Sequence, residues 1–372
     1  MSVKFSMIFE AQTADTSPEG ERRTLLSCVE QAVYAEGMGF DRVWAVEHHG
    51  LKWYAHMSAP EVFLSHVSAR TSRIRIGHGV VCMAFNYNHP VRVAERAATL
   101  DILSGGRRDL GAGRGGTEEE TSFCGVDKST TKAQVEESLR MVSRMWLDDR
   151  FEWHESFEIR PHHLVPGPIQ RPHPPLFLAC SHAETVAQAA EYGVGALVLG
   201  FQGPEAVADM RKLYDEACAT RDGTKFVSPA LVNDHLSALC PTIVLDDAAE
   251  ARRIGVRGQR FFEESIGHWS LGTPTPSLDT ADDDNVAALA DFARVKQARI
   301  GLPDMASIVW STDHAYGTAG TAIEYVERLQ HAGADEIMCL IQMGTVPHEA
   351  CMETIRQWGT YVIPHFRTES AA

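Results

Sequence analysis

His89-Pro-Val-Arg-Val-Ala-Glu-Arg-Ala-Ala-Thr-Leu-Asp-Ile-Leu-Ser-Gly-Gly-Arg-Arg-Asp-Leu-Gly-Ala-Gly-Arg-Gly-Gly116 holds a helix, a stop, a strand and a glycine-rich loop in one run. Pro90 stands where a helix would begin, and there its fixed φ and missing N–H cost nothing. Val91, Ala94, Ala98, Leu100 and Leu103 recur at helical spacing and predict one apolar face. Ser104-Gly105-Gly106 ends the helix, because glycine takes the left-handed terminal conformation without a Cβ clash. Arg108 to Ala112 then reads as a short strand, running into glycines that carry one cation, Arg114. Such a loop suits an anionic ligand, since bare backbone amides can approach it closely.

The same rhythm extends to both sides. Before the stretch, Val3–Phe9, Phe40–Val46 and Ile74–Val81 read as strands. Helices lie between them, Glu21–Met38 with Leu25, Cys28, Val29, Ala32, Val33 and Ala35 inward, and one opened by Ser58-Ala59-Pro60-Glu61 and reaching about Thr71. After it, the spacing predicts helices over Thr131–Leu147, Ala183–Tyr192, Pro204–Ala219, Asp247–Ile266 and Val346–Val362. Strands are expected at Pro175–Ala179, Ala196–Gly200, Leu236–Leu245 and Glu336–Gln342, with a hairpin inserted over Phe151–Val165. Pro241 inside the Leu236–Leu245 strand implies a bulge. Eight strands alternating with helices, with no composition shift or linker, predict an α/β fold. It is a single (β/α)8 TIM barrel with insertions over residues 1–372, with a doubly wound open sheet as the alternative. The rhythm breaks between Ile266 and Thr318. Leu271 to Asp284 is too rich in Pro, Thr and Asp to form core, so 268–317 is expected to be a lid or insertion.

A formal net charge of −16 argues against non-specific nucleic-acid binding, which needs surplus lysine and arginine. No apolar run approaches membrane-spanning length and the start lacks a signal-peptide pattern, so no membrane association is expected. The eight cysteines are scattered without a C-x-x-C pair, as in a reducing compartment, and the expectation is a soluble cytoplasmic protein.

In a barrel, chemistry collects at the carboxyl ends of the strands. That rule selects Glu10, Glu47-His48-His49, Gly79-Val80, Gly113-Arg114-Gly115, Cys180-Ser181, Phe201-Gln202 and Gln342–Gly344. Adjacent histidines diverge and lack the i, i+4 spacing of a zinc pair, so no metal site is expected. A neutral histidine near pH 7, its pKa close to working pH, suits acid–base or hydrogen-bond-donor work, against the plainer reading of a hydrogen-bonded loop histidine. Arg114 suits an anion, against a local pairing with one of Glu118 to Glu120. Ser181 to Thr185 is a strand-to-helix junction with a hydroxyl at the cap; alone it is a capping motif, and beside Arg114 it becomes a candidate phosphate site. There is no Walker loop, Rossmann fingerprint or G-x-S-x-G elbow.

Taken together, the segment Glu36 to His49, the segment Asn88 to Gly116, Gln170 to Leu176, Gly267-His268-Trp269 and the tail from Gln342 to Phe366 resemble the bacterial luciferase-like flavin monooxygenase family. The resemblance runs nearly the whole chain, and its specific parts are E-H-H and the H-P-V-R to G-x-G-R-G run. It implies a (β/α)8 barrel binding FMN, as reduced FMNH2 supplied by a separate NAD(P)H flavin reductase. Dioxygen is the co-substrate, and a flavin C4a-peroxide oxygenates a small organic molecule. On that resemblance His48 matches the catalytic histidine, and Gly79-Val80 falls where the family has a non-proline cis peptide under the flavin. Arg114, Ser181 and Thr185 match positions around the flavin phosphate, with Glu184 the alternative to Thr185 if the match slips by one. Trp269 matches a tryptophan beside the ring. A homo-oligomer is expected by the same analogy. Where luciferase itself has a reactive cysteine this chain has Gly113, and its Met83–Asn88 loop is two residues longer; both point away from light emission. The alternatives are a deazaflavin-dependent hydride-transfer enzyme on the same barrel and a non-catalytic flavin-binding protein.

Overall fold

The computed structural model describes residues 3–279, 284–298 and 310–368. Its strands are β1 (Lys4–Phe9), β2 (Arg42–Ala45), β3 (Arg75–Cys82), β4 (Arg108–Gly113), β5 (Phe151–His154), β6 (Glu158–His162), β7 (Leu176–Cys180), β8 (Gly195–Val198), β9 (Leu236–Val244), β10 (Ala315–Gly317) and β11 (Glu336–Leu340). Its helices are α1 (Pro18–Gly37), α2 (Pro60–Ser68), α3 (Pro90–Leu103), α4 (Glu118–Phe123), α5 (Thr131–Leu147), α6 (Ala183–Tyr192), α7 (Pro204–Thr220), α8 (Ala248–Leu271), α9 (Asn285–Ala298), α10 (Ala319–His331), α11 (His348–Gln357) and α12 (Ile363–Thr368).

Parallel pairing runs β1-β2-β3-β4-β7-β8-β9-β11, and β11 returns to β1, so the sheet closes. This is the (β/α)8 barrel, and its eight strands are the eight read from the sequence. The antiparallel β5–β6 hairpin is the expected insertion between β4 and β7. Among the described residues no helix is long and apolar enough to cross a membrane. All eight cysteines are unpaired.

The opening stretch folds as its residues dictate. The His89 ring accepts from the Val91 N–H at 3.3 Å, Pro90 starts α3, and Gly105 and Gly106 take φ of 69° and 81° just past its end. Buried Asp101 accepts from the Ile169 N–H at 2.7 Å and the Gln170 N–H at 2.9 Å, which anchors the entry to β7. The apolar face is rotated from the expected one: Val93, Ala94, Ala97 and Ala98 are buried, whereas Leu103 is exposed. Leu25 on α1 is likewise more exposed than expected, at 36%.

Pro241 makes no bulge. β9 keeps register with β11 from Ser237 to Pro241, its pairing with β8 stops at Ala238, and β10 takes over at Thr242. The proline thus sits where one neighbour has left and the next has not begun, and its missing N–H breaks no ladder bond there. Three-residue β10 was not read from the sequence, being too short for a visible alternation.

Helix α8 runs to Leu271, beyond the expected end at Ile266. Instead of returning down the barrel wall it crosses the carboxyl rim. Gly258 packs on Met343 and Val346 beyond β11, Phe262 meets Tyr54 beyond β2, and Trp269 reaches Lys52. Part of the expected loop is helix α9, held to α8 by Phe292 over Gly267 and by the buried pair Lys296–Glu263 at 2.6 Å. Residues 280–283 and 299–309 of the expected lid lie outside the described residues.

Candidate active site

The carboxyl ends of β1, β2, β3 and β4 bring together Glu10, His48, the Gly79–Val80 peptide and Arg114. Backbone bonds fix the first two. Ala11, just beyond β1, adopts φ 51°, a conformation uncommon outside glycine. The loop after β2 closes back on it: the His56 N–H donates to the carbonyls of Glu10 and Ala11 at 3.2 and 3.3 Å, and the His48 N–H to Met57 O at 3.2 Å. Gln12 and Gln342 then lock β1 to β11, with the Gln12 N–H on Gln342 Oε1 at 2.9 Å and Gln342 Nε2 on Gln12 O at 2.6 Å.

His48 lies between two carboxyl groups. Its Nδ1 is 2.8 Å from Glu120 Oε1, and its Nε2 is 3.7 Å from Glu10 Oε2. Burial works against the charged imidazolium, but the charge and hydrogen bond of Glu120 outweigh it, and the ring is raised to about 9. Glu120 is pulled the other way. Burial would raise it, yet the His48 charge and hydrogen bond and the Thr117 and His49 N–H groups hold it at about 2. His48 therefore carries its proton through neutral pH, unlike the ring titrating near 7 that the sequence suggested.

The second histidine is structural. His49 Nε2 is 3.0 Å from Glu47 Oε1 and its ring stacks on Tyr87, while Glu47 Oε2 accepts from the Cys82 N–H at 2.8 Å. The two rings diverge to different partners, as adjacent side chains should.

Gly79–Val80 is a non-proline cis peptide. Trp44 lies beneath it, so close that a Cβ on Gly77 would sit 2.2 Å from the indole. On the other side Val80 fills the space left by two glycines of β4; a Cβ on Gly113 would come within 2.3 Å of Val80 Cγ2.

Arg114 is exposed and has no hydrogen-bond or ion-pair partner among the described residues. Among the described residues the local pairing with one of Glu118 to Glu120 does not form, and Glu120 is turned to His48. Its charge is felt across the rim: Glu184, held below its usual range first by Lys132, is also lowered by Arg114 and His182. The first turn of α6 is on the same rim. There Thr185 Oγ1 donates to His182 O at 2.8 Å and accepts from the His182 N–H at 3.3 Å, which is the capping role. Ser181 is half-buried just before the cap, Glu184 points to Lys132, and His182 Nε2 is buried without a partner among the described residues. Trp269, on the last turn of α8, donates from Nε1 to Lys52 O at 2.8 Å and packs edge-on against His268. Tyr54, Phe262, Trp310 and Phe201 continue an aromatic line from His48 to the exit of β8.

Sequence reasoning missed Glu120 as the partner of His48. Its signal was present, since Thr117-Glu118-Glu119-Glu120 is a capping box. The box forms, with Glu120 Oε2 accepting from Thr117 N and Oγ1 at 3.1 and 3.0 Å, and this leaves Oε1 free to turn to His48.

Comparison with known proteins adds the family. Identity to 4-hydroxyprotoasukamycin monooxygenase of Streptomyces nodosus subsp. asukaensis is 37% over 142 residues, 36% of this chain and 38% of that protein. The oxygenase component of a flavin-dependent trigonelline monooxygenase from Acinetobacter baylyi is 28% identical over 246 residues, 65% of each chain. An F420-dependent glucose-6-phosphate dehydrogenase of Amycolatopsis mediterranei is 30% identical over 190 residues, 49% of this chain and 55% of that protein. Each of these matches covers less than two thirds of the relative's own length. In fold, the monooxygenase RslO1 from Streptomyces bottropensis superposes with a TM-score of 0.76 at 23% identity over 98% of this chain and 99% of that one. The luciferase-like monooxygenase model itself matches residues 1–336, so this chain belongs to the luciferase-like monooxygenase family.

Proposed function

We propose that the chain is the oxygenase of a two-component system, using reduced FMN and dioxygen to oxygenate a small organic substrate. The observation that carries this is the convergence on one rim of the cis Gly79–Val80 peptide, a His48 bonded to Glu120 and an exposed Arg114 with no partner among the described residues. The residues present suit a flavin phosphate: Arg114 supplies an uncommitted cation, Ser181 and Thr185 flank the positive end of α6, and His182 Nε2 lacks a partner. Val80 and Trp269 are the residues that would hold the flavin ring.

Reduced flavin bound there supplies the electrons that activate dioxygen for transfer of one oxygen atom. His48, oriented by Glu120, holds a proton at Nε2 for the developing negative charge on substrate or oxygen. Helix α8 and the aromatic line packed on it would exclude water. A separate NAD(P)H-linked reductase would deliver the reduced flavin, in keeping with the relative named as an oxygenase component.

The second reading is deazaflavin-dependent hydride transfer, favoured by the F420-dependent relative. Titration with reduced FMN and with reduced deazaflavin separates the two. Tighter FMN binding, with oxygen consumption above that of free flavin, is expected. Tight deazaflavin binding without FMN binding would overturn the monooxygenase reading.

A further inference from the structure

The carboxyl groups around His48 are not alike. Glu47 uses Oε1 on His49 and Asn88 and Oε2 on the Cys82 N–H. Glu120 uses Oε1 on His48 and the His49 N–H and Oε2 on Gly116 and Thr117. Glu10 Oε2, by contrast, is buried and has no hydrogen-bond partner among the described residues. The His48 Nε2 in front of it is 3.7 Å away, beyond hydrogen-bond range. Two polar atoms therefore face a gap that neither can close. The backbone bonds from His56 and the Gln12–Gln342 lock hold Glu10 at that distance.

The charges that bear on Glu10 come from two sides, His48 on the β2 loop and Glu120 on α4. The β11 exit offers only the neutral amide of Gln342. Burial raises the Glu10 carboxyl to about 7, with His48 pulling it down and Glu120 pushing it up.

We propose that Glu10 is held as a neutral acid, and that its carboxyl O–H and His48 Nε2–H form a two-donor cradle for an electron-rich oxygen of the substrate, a carbonyl or an oxyanion. This rests on the reading of this rim as the substrate site. A carbonyl oxygen has two lone pairs and can take both donors at once, whereas an ionised Glu10 would repel it. An ammonium group, which has donors only, would meet hydrogen with hydrogen, whereas a hydroxyl could enter only by accepting. The cradle thus selects for oxygen acceptors, and one member of the pair switches off as the pH rises.

Infrared spectra of flavin-free protein test the first half. The wild-type minus Glu10→Gln difference spectrum should show a protonated-carboxyl band at about pH 5 that fades as the pH rises through about 7. No such difference band overturns the proposal. Should Glu10→Gln fail to fold, Glu10→Ala supplies the subtraction. Cyclohexanone, labelled at its carbonyl, tests the second half. Its stretch should fall in frequency on the wild type at about pH 5, fall less at about pH 9, and lose that pH dependence on Glu10→Ala. No shift on the wild type, or equal shifts on both proteins, overturns the cradle. Neither measurement contains flavin, so the cradle can fail while FMN binding stands, and the reverse.

Discussion

The two ends of this barrel use the same residue types in opposite ways. At the amino end, Arg42 and Arg75 converge on Asp109, with Arg42 Nε at 2.7 Å and Arg75 Nη2 at 2.6 Å. Arg42 also pairs with Glu336, which in turn holds Trp44 Nε1 at 2.8 Å and His235 Nε2 at 3.0 Å. Both carboxylates are fully buried there and both are multiply bonded; Glu336 sits well below its usual range, the Arg42 charge overcoming burial. At the carboxyl end, a carboxyl oxygen of Glu10, Tyr87 Oη and His182 Nε2 are buried without partners, and Arg114 stands free among the described residues. The carboxylates of the first end are saturated, although Arg108 Nε and Nη1 and Ser237 Oγ are buried there without partners among the described residues; at the second end the unspent capacity includes a carboxyl group. In barrels generally the first face serves stability and the second serves function.

Substitutions that remove one member from each end should therefore part cleanly. Glu336→Ala strands Arg42 in a buried place and should cost about 3–5 kcal/mol in chemical denaturation. Its effect on flavin affinity, measured where the variant is folded, should be slight; a selective loss of affinity would blur the division. His48→Asn should lower turnover about a hundredfold or more in reduced-flavin oxygenation, with a smaller loss of stability than Glu336→Ala. Unchanged turnover would remove the proton role of the ring.

The pH dependence sharpens the comparison further. Glu10 has a folded value near 7, above its ordinary 4.5, so the folded form keeps a proton that the unfolded chain gives up. Its contribution is present below 4.5 and lost as the pH rises through about 7. Glu10→Gln should match the wild type in acid and become the more stable protein above neutrality, by up to about 3 kcal/mol. Denaturant midpoints across that window measure this, and parallel curves would refute it. The smallest effect belongs to Arg114→Ala. About tenfold weaker FMN binding is expected, with stability within about 0.5 kcal/mol, because the side chain holds no partner among the described residues. Riboflavin, which lacks the phosphate, should bind both proteins equally.

Much of this architecture was legible in the chain. Local signals such as Pro90, Ser104-Gly105-Gly106 and the strand spacing act over a few residues, and the barrel follows from repeating them. Likewise the family match pointed to Gly79-Val80, where the cis peptide stands. What escaped was set by closure. Glu120 meets His48 across 72 positions of sequence, and its local capping role hid the longer contact. The path of α8 was also invisible, because an amphipathic helix crossing the rim has the same periodicity as one lying on the wall. For Leu25 and Leu103, an apolar residue at helical spacing says nothing of which edge of the stripe falls inside.

Val80 and Gly113 finally bear on how the sequence can drift. Since a Cβ at 113 would lie 2.3 Å from Val80 Cγ2, neither position can change alone in the direction of bulk. A side chain gained on β4 requires one surrendered on β3. The two positions form a single slot that holds one residue's worth of volume, and whichever strand fills it decides which one furnishes the wall there.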